Sequence, residues 1–184
     1  MRTLIISLLT VCAGCFSTQK VTAAEPAATN GVKWLTIEEA EKLNEKAPRK
    51  FLIDVYTDWC GWCKRMDANT FSTTEIASYL NTYFYAVKLD AEGKQPVTFG
   101  AHTYSANASG RSHELAIAIL NGKMSYPSIA YLDETKNLIT VVPGYQTPDN
   151  LLPILVFINK ELYKTTPWEQ FLQEWAKNPQ ELKK

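Results

Sequence analysis

The stretch "FLIDVYTDWCGWCKRM", residues 51–66, sets an apolar run directly before two cysteines spaced C-x-x-C, and the residues after the second cysteine suit a helix. "KFLIDVY" (50–56) is rich in β-branched and aromatic residues and lacks polar alternation, as expected of a strand covered on both faces. Cys60 and Cys63 therefore fall at a strand-to-helix junction.

Three chemistries compete for such a pair. A tetrahedral zinc site needs four ligands, of which one C-x-x-C supplies two. Beyond the first 24 residues the only other soft ligands are His102 and His113, whose spacing is not that of the usual zinc modules, so no metal is expected. A disulfide closing so short a loop removes little entropy from the unfolded chain, which makes it a poor staple. A redox role accounts for position as well as spacing, because unpaired N–H groups and the dipole at a helix N-terminus favour a thiolate. Lowering a thiol pKa from about 8.5 to about 7 takes roughly 2 kcal/mol. The dipole supplies about 0.3–1 kcal/mol, so hydrogen bonding from the second thiol has to help.

The chain opens with Arg2, then "TLIISLLTVCAGCF" and small residues around "VTAAE", the layout of a signal peptide over residues 1–24 with cleavage after Ala23 or Ala24. Cys12 and Cys15 make a second C-x-x-C inside this segment, which is read as a decoy. Ala13-Gly14-Cys15 also suits the lipidation site of a bacterial lipoprotein, making Cys15 a candidate lipid anchor. Either route exports the product, with the bacterial periplasm as the expected compartment. The whole chain carries 19 basic and 19 acidic residues, and losing Arg2 and Lys20 leaves a net charge of −2. Nothing in that balance favours nucleic acid or an anionic membrane surface. Only Cys60 and Cys63 remain after cleavage, in a compartment where thiols oxidise.

Residues 25–33, "EPAATNGVK", read as a flexible leader, and 34–184 as one domain. Thr36 with Glu39 forms a capping box for a helix ended by Pro48. A helix runs from the cysteines through "CKRMDANTF", and Ser72 with Glu75 suggests a second capping box opening "TEIASYLNTY". "FYAVKLDA" is a second buried strand, parallel to the first through a right-handed crossover. Residues 92–112 are an insertion read as a loop or small hairpin about Gly100. "HELAIAILNGK" is a helix ended by Asn121-Gly122, for which Ser112 suits the cap, while Arg111 and His113 are candidates to approach the site. "SIAYLDE" and "NLITVVPGY" form an antiparallel hairpin. "DNLLPILVFINKELY" is helical, and a C-terminal helical extension at 166–178 starts with Thr166 as cap and Pro167 at the first helical position. This order gives an α/β fold with a mixed central sheet and helices on both faces.

"FLIDVYTDWCGWCK" resembles the active-site segment of the thioredoxin superfamily and is similar to exported thioredoxin-like domains such as the C-terminal domain of the transmembrane reductase DsbD. The likeness runs from about residue 33 to about 160. It implies a thioredoxin-like fold in which Cys60 is the exposed attacking thiol and Cys63 the buried resolving thiol. Asp54 would accept the proton of Cys63, and Lys88 in "AVKLD" would pair with that carboxylate. Tyr126-Pro127 matches the loop whose cis-proline lies beside the disulfide, leaving the Tyr126 backbone to pair with a substrate strand. Gly144 matches the glycine lining the substrate groove. Trp59, Gly61, Trp62 and Tyr126 would surround the attacking sulfur as a docking surface.

The resemblance implies no cofactor beyond the redox-active Cys60–Cys63 disulfide. Its implied partners are disulfide-bearing substrate proteins and a membrane thiol donor, with oligomeric state open. Two departures stand out. Trp62 replaces the proline of thioredoxins, in the dipeptide that tunes redox potential, and about twenty extra residues precede Tyr126-Pro127. The expected function is an exported thiol-disulfide oxidoreductase acting as a protein-disulfide reductase, with an oxidase or isomerase, or a non-catalytic binding module, as alternatives.

Overall fold

The computed structural model describes residues 31–183. The segment read as a signal peptide (residues 1–24), with Cys12 and Cys15, and residues 25–30 of the stretch read as a leader lie outside the described residues. Among those described, no helix is long and apolar enough to cross a membrane.

The central sheet has four strands: β1 (Lys50–Tyr56), β2 (Phe84–Asp90), β5 (Ser128–Leu132) and β6 (Leu138–Pro143), in the order β2-β1-β5-β6. β1 runs parallel to β2 and antiparallel to β5, which is antiparallel to β6. Phe51, Ile53 and Val55 of β1 face one core together with Ile37 and Ala40 of α1 (Ile37–Asn44) and Leu115, Ala116 and Ile119 of α4 (Glu114–Ile119). Leu52 faces the other core, built with Met66 of α2 (Gly61–Met66), Ile76 and Leu80 of α3 (Thr74–Tyr83), and Leu151 and Leu155 of α5 (Pro148–Asn159). Alternation along a strand thus serves two apolar layers, which explains why β1 is apolar without a polar period. The fold is α/β and thioredoxin-like, a mixed sheet covered by helices on both sides.

Several local expectations meet a different outcome. The Thr36–Glu39 capping box forms, with Thr36 Oγ1 accepting from the Glu39 N–H and Glu39 Oε2 from the Thr36 N–H. The Ser72–Glu75 box does not. After α2 the chain makes a π-helical turn, Asp67–Phe71, which shifts the next helix so that Thr73 stands at its N-cap. Ser72 Oγ instead donates back to the Ala68 carbonyl at 2.5 Å. α4 is capped by His113 rather than Ser112, its Nδ1 accepting from the Leu115 N–H at 3.2 Å. In the C-terminal extension Pro167, not Thr166, holds the N-cap position of α6 (Trp168–Lys177), and α7 (Pro179–Leu182) comes after it.

The insertion folds as a hairpin of β3 (Val97–Phe99) and β4 (His102–Tyr104) that sits on α1. The Thr98 and Gly100 N–H groups donate to Glu38 Oε1 and Glu41 Oε1, and Phe99 packs against Phe51 with ring centroids 6.3 Å apart. Gly31–Lys33, the end of the stretch read as a leader, are tied to the domain. The Lys33 N–H donates to Asn81 Oδ1, and Asn81 Nδ2 donates to the Gly31 carbonyl.

Candidate active site

Cys60 is the N-cap of α2. Its backbone is extended (φ −72°, ψ 101°) and its Sγ accepts from the Cys63 N–H at 3.1 Å, so sulfur takes the place of the usual capping oxygen. Negative charge developing on that sulfur meets an N–H already aimed at it. The two cysteines are joined as a disulfide with Cα atoms 5.3 Å apart. Cys60, expected to be the exposed member, is only 4% exposed and Cys63 2%, so in this oxidised form both sulfurs are covered.

Two aromatic pairs stand beside the disulfide. Trp59 is 67% exposed and meets Tyr126 edge-on with centroids 5.9 Å apart, while its indole N–H donates to Glu92 Oε2 at 3.1 Å. Trp62 is 55% exposed, tilts against Tyr145 at 5.5 Å, and carries the Arg65 guanidinium 5.0 Å over its ring. Gly61 between the cysteines faces open space.

The Tyr126–Pro127 peptide bond is cis. The Pro127 carbonyl accepts from the Gly144 N–H at 2.8 Å, which joins the loop before β5 to the end of β6. Gly144 has φ +89°, a conformation side-chain-bearing residues rarely adopt, and this accounts for glycine there. The Tyr126 backbone N–H and C=O have no hydrogen-bond partner among the described residues.

Asp54 lies on the same face of β1 as Leu52, the face that α2 covers through Met66. It is fully buried, and its Oδ2 accepts from Lys88 Nζ at 2.6 Å, the register placing Asp54 directly opposite Lys88. Lys88 also donates to Asp67 Oδ1. Asp67 is four residues beyond Cys63 and its N–H donates to the Cys63 carbonyl, so the chain Asp54–Lys88–Asp67 links the strand to the helical turn that carries Cys63. Burial pushes the Asp54 carboxyl up from 3.8 to about 6, against the opposing pull of Lys88. For Lys88 burial alone would lower the pKa, but Asp54 and Asp67 together raise it, so it remains a cation. Asp54 Oδ1 is buried with no partner among the described residues, as are the hydroxyls of Thr57 and Tyr131.

Asp67, Glu92, Arg65 and Tyr145 are not among the residues to which the sequence points. For Asp67 the i,i+4 spacing from Cys63 is the available signal; Glu92 lies 33 residues from Trp59 and carries none. Of the two residues considered for approach to the site, Arg111 is exposed in a loop where its N–H donates to Asn107 Oδ1. His113 is 1% exposed and spent on capping, with Nε2 3.1 Å from the Gln95 carbonyl oxygen. Among the described residues, no group of three or more acidic, histidine or cysteine residues is arranged to hold a metal ion.

None of the curated protein sequences matches the chain. Solved structures with the same fold include one described as "DsbH Oxidoreductase" (14% identity, 78% of this chain and 95% of that one, TM-score 0.54). Others are a thioredoxin-fold protein from Helicobacter pylori (19%, 70% and 81%, 0.54) and a thioredoxin from Thermus thermophilus (14%, 70% and 87%, 0.53). At these identities the likeness is one of fold. A cysteine pair at the strand-to-helix junction of this fold supports thiol-disulfide exchange. Residues 17–141 match the thioredoxin-like DsbH family model, described as "Protein of unknown function, DUF255", and the chain belongs to that family.

Proposed function

We propose that the chain is an exported thiol-disulfide oxidoreductase that reduces protein disulfides. The observation that carries this reading is the placement of Cys60 Sγ at the start of α2, with a buried ionisable carboxylate, Asp54, on the face of the sheet that α2 covers. In the reduced protein the Cys60 thiolate attacks a substrate disulfide, a Cys60–substrate S–S bond forms, and one substrate sulfur leaves and takes a proton. Asp54, ionised above pH 6, accepts the Cys63 proton. Cys63 thiolate then attacks the Cys60 sulfur, restoring the intramolecular disulfide and releasing the second substrate sulfur, which is protonated in turn. Two electrons pass from the protein to the substrate.

Lys88 acts in this scheme by holding Asp54 and coupling it to Asp67 near the surface. Trp59, Trp62, Gly61, Pro127 and Gly144 form the groove that receives the substrate segment. The unpaired N–H and C=O of Tyr126 supply the edge against which that segment is laid as a strand.

The direction of electron flow rests on Cys60 Sγ. Among the described residues it accepts one N–H bond, from Cys63, a modest stabilisation of the thiolate, whereas strong oxidants owe their potential to a heavily stabilised reduced form. Export rests on the N-terminal pattern of residues 1–24, in one of its two forms anchored at Cys15. Since the bacterial periplasm holds no thiol buffer, a membrane dithiol donor recharges the pair, which needs no other cofactor.

Two measurements test the proposal. Equilibration with a dithiol of known potential should give a value on the reducing side of the range, and a value near the strongly oxidising proteins rules out the reductase direction. Cys63→Ala should accumulate mixed disulfides through Cys60 in the exporting cell, and failure to capture any protein counts against exchange altogether.

A further inference from the structure

The insertion begins at the rim of the disulfide. Ala91, the residue before Glu92, is fully buried; its N–H donates to the Tyr56 carbonyl at the end of β1, and its carbonyl accepts from the His113 N–H at the start of α4. The next turn is tight. The Glu92 N–H donates to Asp90 Oδ1 at 2.9 Å and the Gly93 N–H to the Asp90 carbonyl at 3.2 Å, and a Cβ on Gly93 would meet that carbonyl oxygen at 3.2 Å. Glu92 thus stands on a turn fixed at both ends, and from there its carboxylate accepts the Trp59 indole N–H at 3.1 Å.

Trp59 gains little restraint from burial, being 67% exposed, and its directed contacts among the described residues are that hydrogen bond and the edge-on meeting with Tyr126. Tyr126 precedes the cis-proline and carries the unpaired backbone groups. Three segments distant in sequence therefore meet at one wall of the groove: the turn opening the insertion, the residue before Cys60, and the loop before β5. We infer that Glu92 is a positioning residue for substrate docking, holding the Trp59 indole against Tyr126 so that this wall is ordered before a disulfide-bearing protein segment arrives. A loose indole would have to be ordered at the moment of binding, and immobilising one such side chain is worth about two- to tenfold in affinity. The inference rests on the oxidoreductase reading and gives the start of the insertion a role in it.

The test compares a macromolecular disulfide, insulin, with a small one, dithiobis(nitrobenzoate), which has no segment to lay in the groove. Glu92→Ala should raise KM for insulin about two- to tenfold, leave kcat and the rate with the small disulfide unchanged, and move the Trp59 indole N–H resonance, assigned by its loss in Trp59→Phe. Glu92→Gln keeps an acceptor oxygen and should restore both KM and the resonance. An unchanged KM in Glu92→Ala, or a Glu92→Gln as impaired as Glu92→Ala, overturns the positioning role while leaving the oxidoreductase reading intact. Wild-type protein inert toward both disulfides would remove that reading and this inference with it.

Discussion

Asp54 accepts from Lys88 Nζ through one oxygen at 2.6 Å, and its other oxygen is buried without a partner among the described residues. A carboxylate needs several donors to offset the loss of water, and one cation does not suffice. That shortfall is why burial outweighs Lys88 and pushes the carboxyl up to about 6. The ionised pair therefore stands in the fold at a cost to stability.

The sign of that cost comes from linkage. The folded-state pKa of Asp54 is raised above its ordinary 3.8, so its contribution to stability is fully present below pH 3.8 and is lost as pH rises through about 6. Above that range the ionised group costs about 3 kcal/mol. Asp54→Asn removes the charge and leaves Lys88 paired with Asp67. Denaturant unfolding of the oxidised protein should show Asp54→Asn more stable than wild type by about 1–3 kcal/mol at pH 8, with the gain gone near pH 4. A variant no more stable than wild type at pH 8 would mean that Lys88 compensates Asp54 in full.

In the proposed scheme the same group sets the pH dependence of the second chemical step. Cys63 can hand its proton to Asp54 only when Asp54 is ionised, so resolution of a preformed Cys60 mixed disulfide should accelerate as pH rises through about 6. Asp54→Asn should lose this limb and resolve at least about tenfold more slowly at pH 7. Stopped-flow release of the substrate thiol measures both, and an unaltered profile in the variant would assign proton transfer to another group.

The features legible in the sequence are local or patterned over a few residues. β1, the helix start at Cys60, the Thr36–Glu39 capping box and the β5–β6 hairpin all declare themselves within ten or so neighbours. Ser72 and Thr166 carry equally good local patterns, yet backbone geometry decides against them. The π turn at Asp67–Phe71 adds residues to the helical path and takes Ser72 as its own C-cap, one residue short of the Thr73 cap position. His113 escapes a reading by type because histidine is not among the usual caps, but a buried imidazole has an acceptor nitrogen to offer. Asp67 and Glu92 act on partners brought together only by the fold, Lys88 21 residues away and Trp59 33 residues away; Asp67 is marked only by its four-residue spacing from Cys63, and Glu92 by nothing local.

His113 ties the start of α4 to the beginning of the insertion, at Gln95. Its Nδ1 accepts from the Leu115 N–H, which makes Nε2 the protonated nitrogen and a donor to the Gln95 carbonyl 3.1 Å away. His113→Ala removes a cap worth about 1 kcal/mol and the hydrogen bond to the Gln95 carbonyl, worth a further ~1–1.5 kcal/mol. A loss of about 2–2.5 kcal/mol is expected in denaturant unfolding. His113→Asn should recover the cap, and a loss equal to that of alanine would show that volume rather than capping is at stake.

Lys88 lies between two carboxylates and three rings, with Nζ 4.7 Å from the centroid of Trp34, 5.1 Å from that of Tyr56 and 5.6 Å from that of Phe71. Lys88→Met preserves the stem that packs on those rings and deletes the charge. Asp54 then has no cation, so its pKa must rise above its present value and the range in which it destabilises the fold extends upward in pH. Because Lys88 is 21% exposed, the effect should fall below the 3–5 kcal/mol of a fully buried pair; a loss of about 2 kcal/mol at pH 8 is expected. Below about pH 4 Asp54 is protonated with or without the lysine, and the two proteins should converge there, apart from the Lys88 contacts with Asp67 and the rings. A loss that does not depend on pH would place the value of Lys88 in its packing, and would leave Asp54 without the electrostatic partner that the proposed proton transfer requires.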